Sequence, residues 1–216
     1  ASDDAAKVVR LMARGKAFSA GADLAYIQSM QGYSFEENLA DSSSLAELYE
    51  MIYTHPKVVV AQIEGHAIAG GCGLATVCDF SFAVPSAMFG YTETRIGFVP
   101  AIVMIFLLRK VGEIRAKELL LTGKLIGAEE AARVGLINAV VESERIGTHV
   151  DAFIEDLCNQ TSGESLRLTK QMIAHVQELS LTEALQYAAR TNAQARMTTD
   201  CQHGIAQFLA KQPLTW

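Results

Sequence analysis

Two features of this 216-residue chain are of a type that does chemistry together: the glycine pair Gly70-Gly71 and the carboxylate of Glu93. Between them runs GGCGLATVCDFSFAVPSAMFGYTE, in which Cys72–Cys78 has no polar face and Phe80–Val84 is apolar again. Just upstream, Val58-Val59-Val60-Ala61 is the continuous β-branched run expected of a strand buried on both faces. The pattern predicts strand, glycine turn, buried helix, second strand, and then a carboxylate. Glycines at a helix start let the backbone approach a ligand, and the first N–H groups there lack an intrahelical acceptor. Such groups bind an anion or stabilise a developing oxyanion, and a carboxylate alongside moves a proton. The same pair also serves close helix–strand packing with no ligand at all. Glycine spacing by itself leaves both readings open.

The elements that must position these groups follow from periodicity and capping. Lys7–Ala13 reads as an interior strand centred on Val8–Met12, and Phe18–Asp23 as a loop of small residues with Asp23 as N-cap to a helix from Leu24. Helices are expected over Leu24–Met30 and Phe35–Tyr53, the latter opened by a Ser34/Glu37 capping box and carrying an apolar stripe of Leu39, Leu45, Leu48, Met51 and Ile52. Met30 and Tyr33 either line a pocket or pack in the core. Pro100 precedes a helix Ala101–Val111 that Gly112 ends. Val103, Met104, Phe106 and Leu107 on it either face a bound group or pack. Helices Ile114–Thr122 and Ala128–Val134 and a strand Ile137–Val141 follow. Beyond Ile146 the chain is mostly helical, over His149–Gln160, Glu164–Leu179, Thr182–Arg196 and Thr199–Ala210. The expected organisation is a core over residues 1–145 and a helical region over 146–216, which packs on the core or on another subunit.

Composition narrows the function classes. A net charge of −6 argues against a general nucleic-acid binder. The longest apolar run, Ala101–Leu108, is far short of a membrane span and reads as a buried helix. Cys72, Cys78, Cys158 and Cys201 form neither a metal-ligand pattern nor a disulfide framework. His66 lacks partners at triad spacing and reads as a satisfied structural residue, so no metal is expected. No leader-like segment is visible, and a cytoplasmic or other soluble, reducing compartment is the expectation.

Three stretches together resemble a known family. HAIAGGCGLATVCDF, GKAFSAGADL (Gly15–Leu24) and LTGKLIGAEEAARVGL (Leu121–Leu136) are similar to three signatures of the crotonase (enoyl-CoA hydratase/isomerase) superfamily, in its order and spacing. The similarity runs from about Lys7 to Trp216. GADLAYIQSMQGYSFEENLADSSSLAELYEMIYTHPKVVVA and ETRIGFVPA are similar to its methylglutaconyl-CoA hydratase branch.

The resemblance implies an α/β fold, a crotonase-like spiral of ββα turns with a C-terminal helical trimerisation region. It also implies that a hairpin and a helix precede the point where this chain starts. It places the two oxyanion-hole N–H groups on Ala22 and Gly70 and the general acid/base on Glu93. It sets Ala20, Asp23, Leu24, Phe208 and Lys211 along the coenzyme. It implies an acyl-CoA substrate, no cofactor beyond the coenzyme A moiety, and a homotrimer or dimer of trimers. Hydratases of the superfamily use two glutamates, and the first falls on Gly73, which cannot activate water. The expected reaction is hydration of an α,β-unsaturated acyl-CoA such as methylglutaconyl-CoA. The alternatives are Δ3,Δ2-enoyl-CoA isomerisation by Glu93 alone, or a non-catalytic relative that binds acyl-CoA or serves as an RNA-associated scaffold. Arg95, two residues from Glu93, shares its face if the segment is extended. There it binds a substrate carboxylate, neutralises Glu93, or simply sits at the surface.

Overall fold

The computed structural model describes Asp3 and residues 6–216. Strands are dealt alternately to two sheets as the chain advances. β1 (Val8–Met12) enters one sheet and β2 (Ala17–Ser19) the other. After α1 (Leu24–Ser29), a 3-10 turn at Met30–Gly32 and α2 (Phe35–Tyr53), the pattern repeats with β3 (Val58–Ile63) and β4 (His66–Ile68). Following α3 (Gly70–Val77) it repeats again with β5 (Phe80–Ala83) and β6 (Met88–Gly90). A 3-10 turn at Glu93–Ile96 and α4 (Ala101–Thr122) then lead to β7 (Ile126–Gly127), α5 (Ala128–Arg133) and β8 (Ala139–Val140). The resulting sheets have the orders β1-β3-β5-β8 and β2-β4-β6-β7. Each turn of the spiral contributes a ββα unit, and helical crossovers make β2–β4, β3–β5, β4–β6 and β5–β8 parallel, whereas β6 pairs with β7 antiparallel.

Burial explains why the central strands read so clearly. All six residues of β3 are buried, since it is covered on both faces. It pairs in register with β5 from Val60 opposite Phe80 to Ile63 opposite Ala83. Asp79 locks the start of this pairing: the Val59 N–H donates to its Oδ2 at 2.7 Å, and its own N–H donates to the Val59 carbonyl at 2.9 Å. The Asp of the Cys-Asp pair is thus a strand-registering group. α3 buries six of its eight residues and packs between α2 and α4.

The described residues divide by contacts into two units. One comprises Arg10–Tyr53 and Val59–Val150, and so holds both glycine loops and Glu93. The other comprises the described residues up to Val9, Thr54–Val58, and Asp151–Trp216. In the second, α6 (Ile146–Gln160, which begins in the first unit), α7 (Gly163–Val176), α8 (Leu181–Met197) and α9 (Thr199–Leu209) match the expected tail helices to within a few residues. Ser162, Ser180 and Thr198 cap α7, α8 and α9, with a full capping box between Ser180 and Glu183.

Three sequence expectations are corrected. Among the described residues β1 lies at the end of its sheet, and its own residues are only half-buried or exposed. The Ala101–Leu108 run is not a buried helix: only Val103 and Leu107, one helical turn apart, reach the core. The stripe on α2 is likewise open, with Leu39, Leu45, Leu48 and Met51 exposed and Tyr49 the buried residue. Gly112 does break the helix as expected: at φ +74° and ψ 170° it leaves helical geometry, and a second helical segment runs on to Thr122.

Candidate active site

The first turn of α3 is built around an uncommon backbone. Ala69 precedes it at φ 52°, ψ −129°. Its N–H donates to the Gly90 carbonyl at 2.7 Å, and its carbonyl accepts from the Cys72 and Gly73 N–H groups at 2.9 and 3.1 Å. Those two N–H groups are therefore satisfied, while among the described residues the Gly70 N–H donates to no protein acceptor. Gly71 is glycine because the Ser19 carbonyl occupies the space of a Cβ, its carbon lying 2.5 Å from that position.

The Phe18–Asp23 loop lies directly against this turn. A Cβ built on Gly21 would sit 3.0 Å from the Gly70 nitrogen. Gly21 has φ +86° and donates to Ser19 Oγ at 3.3 Å. Asp23 caps α1 as expected, accepting from the Ala25 N–H at 2.8 Å and the Tyr26 N–H at 3.4 Å. Between these restraints the Ala22 N–H also donates to no protein acceptor among the described residues. Ala20, Ala22, Asp23 and Leu24 are all exposed, so the loop's backbone is open to a ligand. The two small-residue loops thus meet.

Glu93 opens the 3-10 turn after β6 and is only 8 % exposed. Its Oε2 is buried without a hydrogen-bond partner. Burial holds its carboxyl above the usual carboxylate range, opposed by its own backbone N–H. Glu93 is also within electrostatic reach of Tyr49, whose buried phenol is pushed well up by desolvation first and by Glu93 second. The Tyr49 hydroxyl donates to the Gly70 carbonyl at 2.6 Å. Tyr49 therefore connects the carboxylate to the glycine turn. The sequence signal for it was weak, since α2 carries two hydroxyl-bearing rings, Tyr49 and Tyr53, and only a buried one requires a partner.

At the other end of α3, Lys110 Nζ donates to the carbonyls of Thr76 at 2.9 Å and Cys78 at 3.0 Å. This satisfies acceptors that the helix end leaves open and sets a cation against its negative pole. Burial lowers the Lys110 ammonium's pKa, partly offset by Cys78 and Asp79.

Gly73 is packed, not vacant. A Cβ there would collide with the Val103 Cγ1 methyl and lie 3.2 Å from Tyr49 Cε1. Val103 and Leu107 therefore serve packing, and Phe106 stacks on Tyr49 at 6.1 Å between ring centroids. Met30 is buried, whereas Tyr33 is exposed.

Arg95 requires a correction. Glu93–Ile96 is a 3-10 turn and not an extended segment, so residues two apart do not share a face. The Arg95 stem lies instead against Gly123, its Cγ 3.0 Å from where a Cβ would be. His66 is satisfied, accepting from the Met88 N–H at 3.2 Å. Cys72 is fully buried, and burial pushes its thiol up to about 12, which fits a small core residue. Among the described residues no three His, Cys, Asp or Glu side chains are grouped to hold a metal ion. No helix of the described residues is long and apolar enough to cross a membrane. Phe208 and Lys211 belong to the other unit. Phe208 is exposed on α9, and Lys211 follows that helix at φ +54°.

Two backbone N–H groups without acceptors beside a buried carboxylate can polarise a carbonyl and relay a proton. Comparison with known proteins shows the family of the chain. Residues 1–216 match the model of the family described as "Enoyl-CoA hydratase/isomerase". The chain is 42 % identical over 212 residues to the "Putative enoyl-CoA hydratase" of Thermus thermophilus, covering 98 % of this chain and 83 % of that protein. It is 33 % identical over 199 residues to the "Crotonyl-CoA hydratase" of Syntrophomonas wolfei, covering 91 % of this chain and 75 % of that one. The crystal structure of an enoyl-CoA hydratase from Bacillus anthracis superposes with a TM-score of 0.88 at 32 % identity, covering 99 % of this chain and 82 % of its own.

Proposed function

We propose that this chain, which belongs to the enoyl-CoA hydratase/isomerase family and is therefore an acyl-CoA enzyme, hydrates an α,β-unsaturated acyl-CoA with Glu93 as its one general acid/base. The observation that carries this reading is the buried Glu93 carboxyl, with Oε2 unpartnered and its proton affinity raised. The thioester oxygen accepts from the Ala22 and Gly70 N–H groups, which draws electrons from the β-carbon. Glu93 takes a proton from water as the water oxygen bonds to that carbon. The displaced π electrons form an enolate whose oxygen stays in the N–H pair, and the proton on Glu93 passes to the α-carbon. Both new bonds are accounted for, and the carboxylate is regenerated. A raised carboxyl suits this cycle, because the group must hold a proton between two steps near neutral pH.

The acyl group we favour is short and of the methylglutaconyl type, and the coenzyme lies along Ala20, Asp23 and Leu24. No cofactor beyond the coenzyme A moiety is needed, and the working assembly is a homotrimer or a dimer of trimers. A second reading has its own support. The packing at Gly73 excludes a second carboxylate, and one carboxylate suffices to carry a proton between the α- and γ-carbons of a Δ3-enoyl-CoA.

The experiment measures hydration and double-bond migration side by side on wild type and Glu93→Gln. Loss of about 10²–10⁴-fold in the variant with thioester binding retained is expected. Undiminished turnover in Glu93→Gln would overturn the role, and wild-type migration without hydration would select the isomerase reading. Thioester binding with no turnover of either kind would leave a binding protein.

A further inference from the structure

The turn that presents the Gly70 N–H is held in a conformation that its own sequence does not prefer. Ala69 sits at φ 52°, ψ −129°, a region natural to glycine and persistent for an L-residue only where the surroundings over-determine it. Rotating the Ala69–Gly70 peptide by about half a turn would bring Ala69 into the ordinary left-handed region. The same rotation would take Gly70 out of helical dihedrals and reverse its N–H. Glycine tolerates that excursion freely, so something other than intrinsic preference must prevent it.

Several contacts oppose the rotation. Ala69 itself is tied through its N–H to Gly90 and through its carbonyl to Cys72 and Gly73. Gly70 is tied at its carbonyl, where the Tyr49 hydroxyl donates at 2.6 Å. Among these bonds Tyr49 supplies the side-chain one: it fixes the next peptide at the Gly70 carbonyl, so the rotation cannot be shared along the chain and must be taken up wholly at Gly70 φ. The phenol is only 3 % exposed, stacked on Phe106 and set beside the space that Gly73 leaves. A side chain at residue 73 would contest that seat. Burial and the nearby Glu93 keep the phenol protonated, so the donor persists at all working pH values.

We propose that Tyr49 is a positioning residue for the reaction: by donating to the Gly70 carbonyl it keeps the Gly70 N–H turned toward the thioester oxygen. This rests on the oxyanion-hole reading of Gly70. It predicts an energetic link between Tyr49 and Ala69, which do not share a hydrogen bond. Glycine at 69 removes the strain that drives the rotation, so the Tyr49 bond then has less to oppose.

The test uses the full chain as wild type, Tyr49→Phe, Ala69→Gly and the double variant. The probe is a cinnamoyl-CoA-type thioester, whose absorption moves to longer wavelength when its carbonyl oxygen accepts hydrogen bonds. Turnover of crotonyl-CoA is measured alongside. Tyr49→Phe is expected to reduce the bound probe's red shift and to lower kcat about two- to tenfold, the range of one ordinary hydrogen bond, with KM changed less than twofold. In the Ala69→Gly background the same substitution is expected to lose less than half as much on a logarithmic scale. A wild-type red shift and kcat in Tyr49→Phe, or losses that simply add, would overturn the proposal. Should Tyr49→Phe fail to fold, Ala69→Gly decides alone: a larger red shift supports the strained-turn argument, and an unchanged one overturns it. Wild type binding the probe with no red shift would instead refute the oxyanion reading beneath it.

Discussion

Gly73→Ala is the smallest change that asks whether the site is closed to a second side chain. The added Cβ meets Val103 Cγ1 head-on and lies 2.9 Å from Val103 Cβ and 3.2 Å from Tyr49 Cε1. Val103 is 4 % exposed, so its methyls have no solvent to move into. Overpacking of this kind costs about 1–3 kcal/mol. Alanine in a helix regains about 1 kcal/mol over glycine, which leaves a net loss of about 0–2 kcal/mol. For a chain of this size each kcal/mol moves Tm by about 2–4 °C, so Tm should fall by up to about 8 °C. Val103→Ala removes the obstructing methyls, and combining it with Gly73→Ala should return at least about 1 kcal/mol of favourable coupling. Thermal and denaturant melts of the four proteins measure this cycle. A rise of about 2–4 °C in Gly73→Ala alone, the full helix-propensity gain, would show that Val103 does not close the site. So would strict additivity in the cycle. If the reasoning holds, Gly73→Glu should express poorly as a single variant. It should gain hydration of crotonyl-type thioesters only in the Val103→Ala background.

Two other outcomes are expected. Glu93 has a folded-state pKa raised above its ordinary value by burial, so its contribution to stability is full below the unfolded pKa and is lost as pH rises through the folded one. Glu93→Gln should therefore melt higher than wild type at pH 7–8 and lose that advantage as pH falls toward 4–5; a less stable variant at pH 7 would contradict the assigned cause. In the tail, Leu181 and Leu185 lie one helical turn apart on α8 and are 77 % and 63 % exposed. Sedimentation equilibrium at micromolar concentration should show a trimer or hexamer for wild type and a smaller species for Leu181→Asp/Leu185→Asp, and a wild-type monomer would rule out the assembly.

The sequence carried most of the spiral because its central elements are extreme in pattern. β3 is apolar at nearly every position and buried at all six, and the α3 segment has no polar face to misplace. Cap chemistry was equally readable at Asp23 and Ser34, since each acts on a residue two or three positions away. What failed depended on partners distant in sequence. The apolar stripes of α2 and of the first turns of α4 have the period of core helices, yet most of their residues face outward. Periodicity reports a face and not what covers it. The geometry of Arg95 turned on whether Glu93–Ile96 was extended or wound, a choice that the local residues leave nearly even.

Gly73 shows the limit most clearly. Read along the chain, it is a place where a carboxylate is missing, which suggests a vacancy that water or a restored glutamate would fill. In the fold it is a place where two other residues have arrived: Val103 from thirty positions later and Tyr49 from twenty-four earlier. The Val103 methyl occupies the gap and the Tyr49 ring borders it, its hydroxyl reaching the Gly70 carbonyl from there. A glutamate at 73 would therefore not simply add a second acid/base group. It would displace Val103 and crowd the ring whose hydroxyl holds the Gly70 carbonyl, and so disturb the N–H on which the proposed first step depends. On the proposed reading, a reaction run by Glu93 alone and a turn braced by Tyr49 are thus two consequences of one packing choice. Opening that packing at Val103 should change proton transfer and carbonyl polarisation together.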